Sequence, residues 1–280
     1  MQTRSYFAAA SPAYAFTCRH APPPRDAALS WPPPNAKNPP PATLPTLARL
    51  ALHACARRWW QFLLAALAVA GLELGISAAA HFAAPVVLAA NLLVSPVLAT
   101  IVTIAVFADR TGDLPTARER AGRIVERLWA VIVIEFVQWY LYAFAMSAIA
   151  TSSGSALLLT LAFGAFLFVL SATIVYADIV ACLAPVSSTL TLVPSSFYQS
   201  TTLAWHNFSR ALALLFVQVA VGTLLQLGAL GLHALHVRGA DLWINDVAAT
   251  LIAVPITAFA TLVYLDVISQ RPSEDGRRRV

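Results

Sequence analysis

Charge is the scarcest thing in this 280-residue chain. Asp, Glu, Lys and Arg make up 11% of it, where a soluble domain carries about 25%. Hydrophobic residues make up 59%, and the mean hydropathy is +0.71. Water cannot be the solvent for most of such a surface. Lysine is nearly missing, with Lys37 alone against 17 arginines. The net charge of +5 sits beside apolar stretches, where membrane orientation accounts for it and nucleic-acid binding is not needed. Cys18, Cys55 and Cys182 are odd in number and lack metal-ligand spacing, which argues against a disulfide framework or a zinc site. Cys18 follows Ala15-Phe16-Thr17 as in a lipoprotein cleavage site, but the stretch before it is short, contains Pro12 and is only weakly apolar. No Ser/His/Asp order, glycine-rich phosphate loop or paired-cysteine motif is present. His233 and His236, with Asp241 and Asp246 nearby, are too sparse a set for a metal site. The sequence therefore predicts no cofactor, no metal and no catalytic residue.

Proline is concentrated at one end. Residues 1–43 hold ten of the 18 prolines, in runs such as Pro22-Pro23-Pro24. Neither helix nor sheet propagates through such runs, so a disordered or polyproline tail is expected there. Beyond it lie apolar stretches long enough to cross the roughly 30 Å hydrocarbon layer as helices. The reading is an all-α membrane protein with six transmembrane helices, at 60–79, 84–107, 128–150, 155–178, 211–232 and 247–267. These belong to one transmembrane domain, 44–268, followed by a charged tail, 269–280. Pro96 and Pro255 fall inside the second and sixth spans, where they kink rather than end a helix. Of the 18 basic residues, 17 fall in the N-terminal segment, the 108–127 loop, the 179–210 connection or the C-terminal tail, and Arg238 alone falls elsewhere. The positive-inside rule then places both termini in the cytoplasm, with short external connections at 80–83, 151–154 and 233–246. The expected location is the cell inner membrane.

The three cytoplasmic entries resemble one another. Leu44-Pro45-Thr46 leads to Arg57-Arg58-Trp59-Trp60, Leu114-Pro115-Thr116 to Arg127-Leu128-Trp129, and Val193-Pro194-Ser195 to Phe208-Ser209-Arg210. The exits match as well: Val106-Phe107-Ala108-Asp109, Val175-Tyr176-Ala177-Asp178 and Val263-Tyr264-Leu265-Asp266. Arg58 and Arg127 are 69 residues apart, as are Asp109 and Asp178. A shared period at entry and exit predicts three repeats, 44–110, 114–179 and 194–268. Each would comprise an amphipathic helix lying on the inner leaflet and a transmembrane hairpin, and the repeats would be related by an axis along the membrane normal. The third interfacial helix is expected at 195–209.

An interfacial helix with Ser or Thr and tryptophan ahead of a span, and a final aromatic-x-Asp followed by a basic residue, here Tyr264, Asp266 and Arg271, resemble the membrane domain attached to some glycerophosphodiester phosphodiesterases and its free-standing relatives. The similarity covers about residues 44–272. It implies a multi-helix membrane fold but supplies no catalytic residue, because the soluble barrel that carries the phosphodiester chemistry of the enzyme form has no counterpart here.

Several polar residues are candidates for a role. Glu73 and Glu135 lie within spans, where an ionised acid costs at least about 2.5 kcal/mol on insertion scales. Gln218 follows Glu135 by the interval that separates Arg127 from Arg210, so the two could share a depth. These residues read either as interhelical hydrogen bonds or as a proton or cation relay. Arg118, Arg120, Arg123 and Arg127 set topology and could contact anionic lipid headgroups. The recurring Asp109, Asp178 and Asp266 fit a structural role such as pairing with the interfacial arginines. The leading functional expectation is a non-enzymatic membrane protein in envelope or lipid homeostasis, or a membrane scaffold, whose partners are lipids and other membrane proteins. The alternatives are a small-solute or ion transporter using Glu73 and Glu135, and a membrane-embedded lipid enzyme.

Overall fold

The computed structural model describes residues 42–79, 84–111, 116–151, 157–183, 189–235, 244 and 247–270. The tail up to residue 41, the connection at 80–83, most of 236–246 and the C-terminal tail lie outside the described residues, and with them His236, Asp241 and Asp246. The side chains of Arg120 and His233 are outside them too. The elements are all helical: α1 (Leu44–Arg57), α2 (Trp59–Ala79), α3 (Ala84–Thr111), α4 (Ala117–Thr151), α5 (Leu157–Thr173), α6 (Ala177–Leu183), α7 (Thr189–His206), α8 (Phe208–Ala234) and α9 (Ala249–Ser269).

Four of the helical stretches are long and apolar enough to cross a membrane: Trp59–Ile76, Ala162–Leu183, Phe208–Leu232 and Ala249–Ser269. They differ in how much of themselves they bury. Only 17% of the α8 window and 28% of the α2 window is inside the protein, against 56% for α9. The outer helices therefore present Leu64, Leu67, Leu72, Phe216, Leu224, Leu227 and Leu230 to their surroundings. An apolar surface of that extent suits hydrocarbon and not water. Helix α9 is central and packs on α1, α2, α3 and α8. Its Thr261 meets Thr103 of α3 at 3.3 Å in a buried hydroxyl pair.

Local chemistry sets the helix ends. Pro45 stands in the first turn of α1, where a missing N–H leaves nothing unsatisfied. Leu47, Leu50 and Ala51 then recur on one face and are buried, which seats α1 along α9. A turn at Arg58 divides α1 from α2, and one at Asn207 divides α7 from α8. Helix α4 opens on a capping box: Thr116 N–H donates to Glu119 Oε2 at 2.8 Å, and Glu119 N–H donates to Thr116 Oγ1 at 3.3 Å. Inside α3, Thr100 Oγ1 donates to the Pro96 carbonyl at 2.7 Å, so a polar group is satisfied beside the proline.

Three boundaries differ from the sequence expectation. No separate interfacial helix precedes the span at 128–150; α4 runs unbroken for 35 residues, about 52 Å of rise, because no proline or turn interrupts it where its surface changes from arginine-rich to apolar. The third interfacial helix begins earlier than 195, at Thr189, and carries Pro194 inside it. The fourth apolar stretch is a broken helix: α5 ends at Thr173, a turn occupies 174–176, and α6 continues as far as Leu183.

Candidate functional site: a broken helix beside separated charges

The break between α5 and α6 frees backbone groups in a buried part of the protein, where each unsatisfied group costs about 1–3 kcal/mol. Side chains from other helices satisfy them. Gln138 of α4 donates Nε2–H to the Ile174 carbonyl at 3.0 Å. Ser200 of α7, fully buried, accepts the Tyr176 N–H at 3.1 Å and donates its hydroxyl to the Thr173 carbonyl at 3.0 Å. The interruption is thus a supported feature of the fold.

Asp178 follows the break in the first turn of α6. Cys182, one turn further on, is buried, and its thiol contacts Thr100 Oγ1 of α3 at 3.8 Å. Arg127 is 8% exposed. Its Nη1 and the Asp178 Oδ1 are both sealed from solvent without a hydrogen-bond partner among the described residues.

The two other arginine–aspartate pairs that the sequence pattern matches to Arg127 and Asp178 are closed on each other. Arg58 holds Asp109 through two bonds, Nε to Oδ2 at 2.7 Å and Nη2 to Oδ1 at 2.5 Å, and it also donates to Gln61 Oε1 at 3.3 Å. Arg210 is ion-paired with Asp266. Asp266 also accepts from Gln270 Nε2 at 2.7 Å and from the backbone N–H of Ala42 at 3.2 Å, while Arg210 Nη2 donates to the Ala42 carbonyl at 3.1 Å. Fork-shaped pairing of this kind fixes two helices more firmly than a point charge does.

The remaining sequence candidates are dispersed. Glu73 is buried on α2 and accepts from Thr250 Oγ1 of α9 at 3.2 Å. Gln218 on α8 is half-buried. Arg118 is exposed and Arg123 half-buried. The Glu119 carboxyl is held below the usual carboxylate range by the Thr116 backbone and hydroxyl, and burial pulls the Arg110 guanidinium down against the opposing pull of Asp109. The sequence reading missed Gln138, Ser200 and Thr100, because each acts on a partner 24 or more residues away and none falls in a motif. Among the described residues no group of three or more His, Cys, Asp or Glu is placed to hold a metal ion. Comparison of the chain with protein-family models, with curated proteins and with solved structures gives no match in any of the three.

Proposed function

We propose that the chain is a six-span protein of the cell inner membrane, built from three repeats. It acts as a non-enzymatic scaffold in envelope or lipid homeostasis, and its inner-leaflet face holds anionic lipid headgroups. The observation that carries this reading is the pairing of exposed tryptophan with arginine at each entry. Trp59 and Trp60 follow Arg58, Trp129 follows Arg127 by two residues, and Trp205 precedes Arg210; all four tryptophans are more than half exposed. Tryptophan favours the headgroup level, where its ring is apolar and its N–H is wet. Arginine at the same level meets phosphate, each cation contributing about 1 kcal/mol against an anionic leaflet.

Helices α3 and α4 supply the second and third spans of this reading. At 28 and 35 residues both exceed the roughly 20 residues a crossing needs, and the excess of α4 is its arginine-bearing first turns. The element order supports the repeats: α1, α2 and α3; then α4 with the broken pair α5 and α6; then α7, α8 and α9. The Arg58–Asp109 and Arg210–Asp266 pairs clamp the entry and exit of the first and third repeats at the same end.

Two measurements test the proposal. Reporters fused after Val280 or inserted near Gly112 should read as cytoplasmic, and one near Ser153 as external; an external Val280 rules out six spans. In nanodiscs, phosphatidylglycerol should raise the melting temperature over a neutral lipid. Arg118→Gln with Arg123→Gln should remove at least half of that gain. Equal stability in the two lipids would reject the headgroup role.

A further inference from the structure

Of the four stretches long and apolar enough to cross a membrane, α8 is the least buried, with 17% of its window Phe208–Leu232 inside the protein. Its exposed residues are not scattered. Phe216, Val219, Thr223, Gln226 and Leu230 are all exposed and recur at intervals of 3, 4, 3 and 4. That is the spacing with which one helix presents a seam to a second helix packed at a shallow left-handed angle. At 1.5 Å of rise per residue the seam is about 21 Å long, against the roughly 30 Å of the hydrocarbon layer.

Two of the five residues are polar, and hydrocarbon treats them differently. Thr223 Oγ1 donates to the Val219 carbonyl one turn back at 2.8 Å, so its hydroxyl is satisfied within the helix. Gln226 carries two N–H donors and a carbonyl acceptor and bonds to none of the described residues. The window is centred on Ala220, six residues earlier. With that centre at the midplane, Gln226 lies about 9 Å from it, inside the roughly 15 Å half-thickness. Helical side chains lean toward the helix N-terminus. The Gln226 amide is therefore turned toward the midplane, away from the nearer headgroup layer, and cannot snorkel to water. An amide unpaired in hydrocarbon is costly, and acyl tails supply neither donor nor acceptor. On α2, the other poorly buried span, every exposed residue from Phe62 to Ile76 is apolar.

The chemistry of the amide identifies the partner. Because it both donates and accepts, a second Gln226 at the same depth satisfies it in both directions. A second copy of this chain, inserted the same way, brings one there, and a two-fold axis along the membrane normal sets the identical seams face to face. Gly222, one turn before Gln226 and beside the seam, has nothing within 4 Å of where a Cβ would stand, so a facing backbone can come close. We propose that the chain forms a parallel homodimer through α8, with Phe216, Val219, Thr223 and Leu230 interlocked across the axis and the two Gln226 amides hydrogen-bonded to each other. One polar pair in an apolar seam also fixes its register. This goes beyond the scaffold reading and needs only that α8 crosses the membrane, whether or not the protein holds anionic headgroups.

The test is energy transfer between full-length copies carrying a donor or an acceptor fluorescent protein fused after Val280, in vesicles of neutral phosphatidylcholine, as added lipid dilutes the protein. Wild type should follow a monomer–dimer isotherm. Gln226→Leu, which keeps the seam apolar, should weaken the dimer at least about fivefold, the low end for a polar pair between model membrane helices. Gln226→Asn, which keeps the amide, should retain most of the affinity. Leu67→Ala, on the exposed face of α2, should change nothing. Circular dichroism of Gln226→Leu should match wild type, since an exposed side chain supports none of the fold. In a Cys18→Ser, Cys55→Ser background, oxidation should join Val219→Cys copies and leave Leu67→Cys copies monomeric. Transfer no greater than random proximity at every dilution overturns the dimer and leaves the seam to a different membrane protein. A dimer that Gln226→Leu does not weaken, or that Leu67→Ala weakens as much, overturns its assignment to α8.

Discussion

Ser200→Ala isolates the support of the helix break. The hydroxyl is fully buried and serves two backbone groups at once, accepting from the Tyr176 N–H at 3.1 Å and donating to the Thr173 carbonyl at 3.0 Å. Alanine removes one oxygen and strands both. Leaving a buried donor or acceptor unsatisfied costs about 1–3 kcal/mol, so two would cost about 2–6 kcal/mol with nothing else moving. Partial regrowth of the helix through 174–176 would recover some of this, and about 2–3 kcal/mol is the expected loss. That exceeds the average of about 0.6 kcal/mol measured for side-chain hydrogen bonds between membrane helices, where the partner groups can find substitutes. Thr202→Ala is the control on the same helix: its hydroxyl is exposed and bonds only the Tyr198 carbonyl one turn back, at 2.9 Å, so its loss should stay within about 0.5 kcal/mol. Reversible unfolding in mixed micelles, followed by circular dichroism, compares the two. If Ser200→Ala costs no more than Thr202→Ala, the break is not held by Ser200 and the account of the site fails.

Two further outcomes are expected. Asp109→Ala should destabilise the fold by about 2–3 kcal/mol, at the low end of a broken buried pair because the two side chains keep 13% and 18% exposure; replacing Arg58 by Met as well should recover part of the loss, and no recovery would contradict the pairing. Burial pushes the Cys55 thiol above its usual pKa, so in a Cys18→Ser background its alkylation should be slower than that of a free thiol at neutral pH and should reach half-maximum at a higher pH, since the thiolate is the reacting form. Buried Cys182 should stay unlabelled until the protein unfolds. A Cys55 rate equal to that of a model thiol would refute the burial of that face of α1.

Most helix positions were legible because long apolar runs leave the backbone one way to satisfy itself in hydrocarbon. Helices α2, α8 and α9 start and stop within a few residues of the expected spans. The recurrence of Asp109, Asp178 and Asp266 was equally readable from spacing. What spacing could not tell is that Arg127 and Asp178 stand apart while the other two pairs close. The break at 174–176 left no local trace. The stretch Ser171-Ala172-Thr173-Ile174-Val175-Tyr176-Ala177 has neither proline nor glycine, the usual interruptions, and it is held open by Gln138 and Ser200 from distant parts of the chain. Helix α4 shows the reverse case. Its polarity changes sharply near Arg127, which reads as a boundary, but a helix needs a breaker to end and none is there.

Asp266 fastens the first described residue of the fold to the last helix, since Ala42 and Gln270 both bond to its carboxylate. This has a consequence for biogenesis. The apolar face of α1, with Leu47, Leu50 and Ala51, is made first and packs on α9, which is made last, across a separation of 224 residues. At about 5–20 residues per second of synthesis, α1 waits about 10–45 s for its seat. Through that interval the leaflet surface, where an amphipathic helix can rest its apolar side, is the shelter open to it. The ring of helices then shuts in a single late step, and a chain truncated before α9 would leave α1 adrift on the membrane.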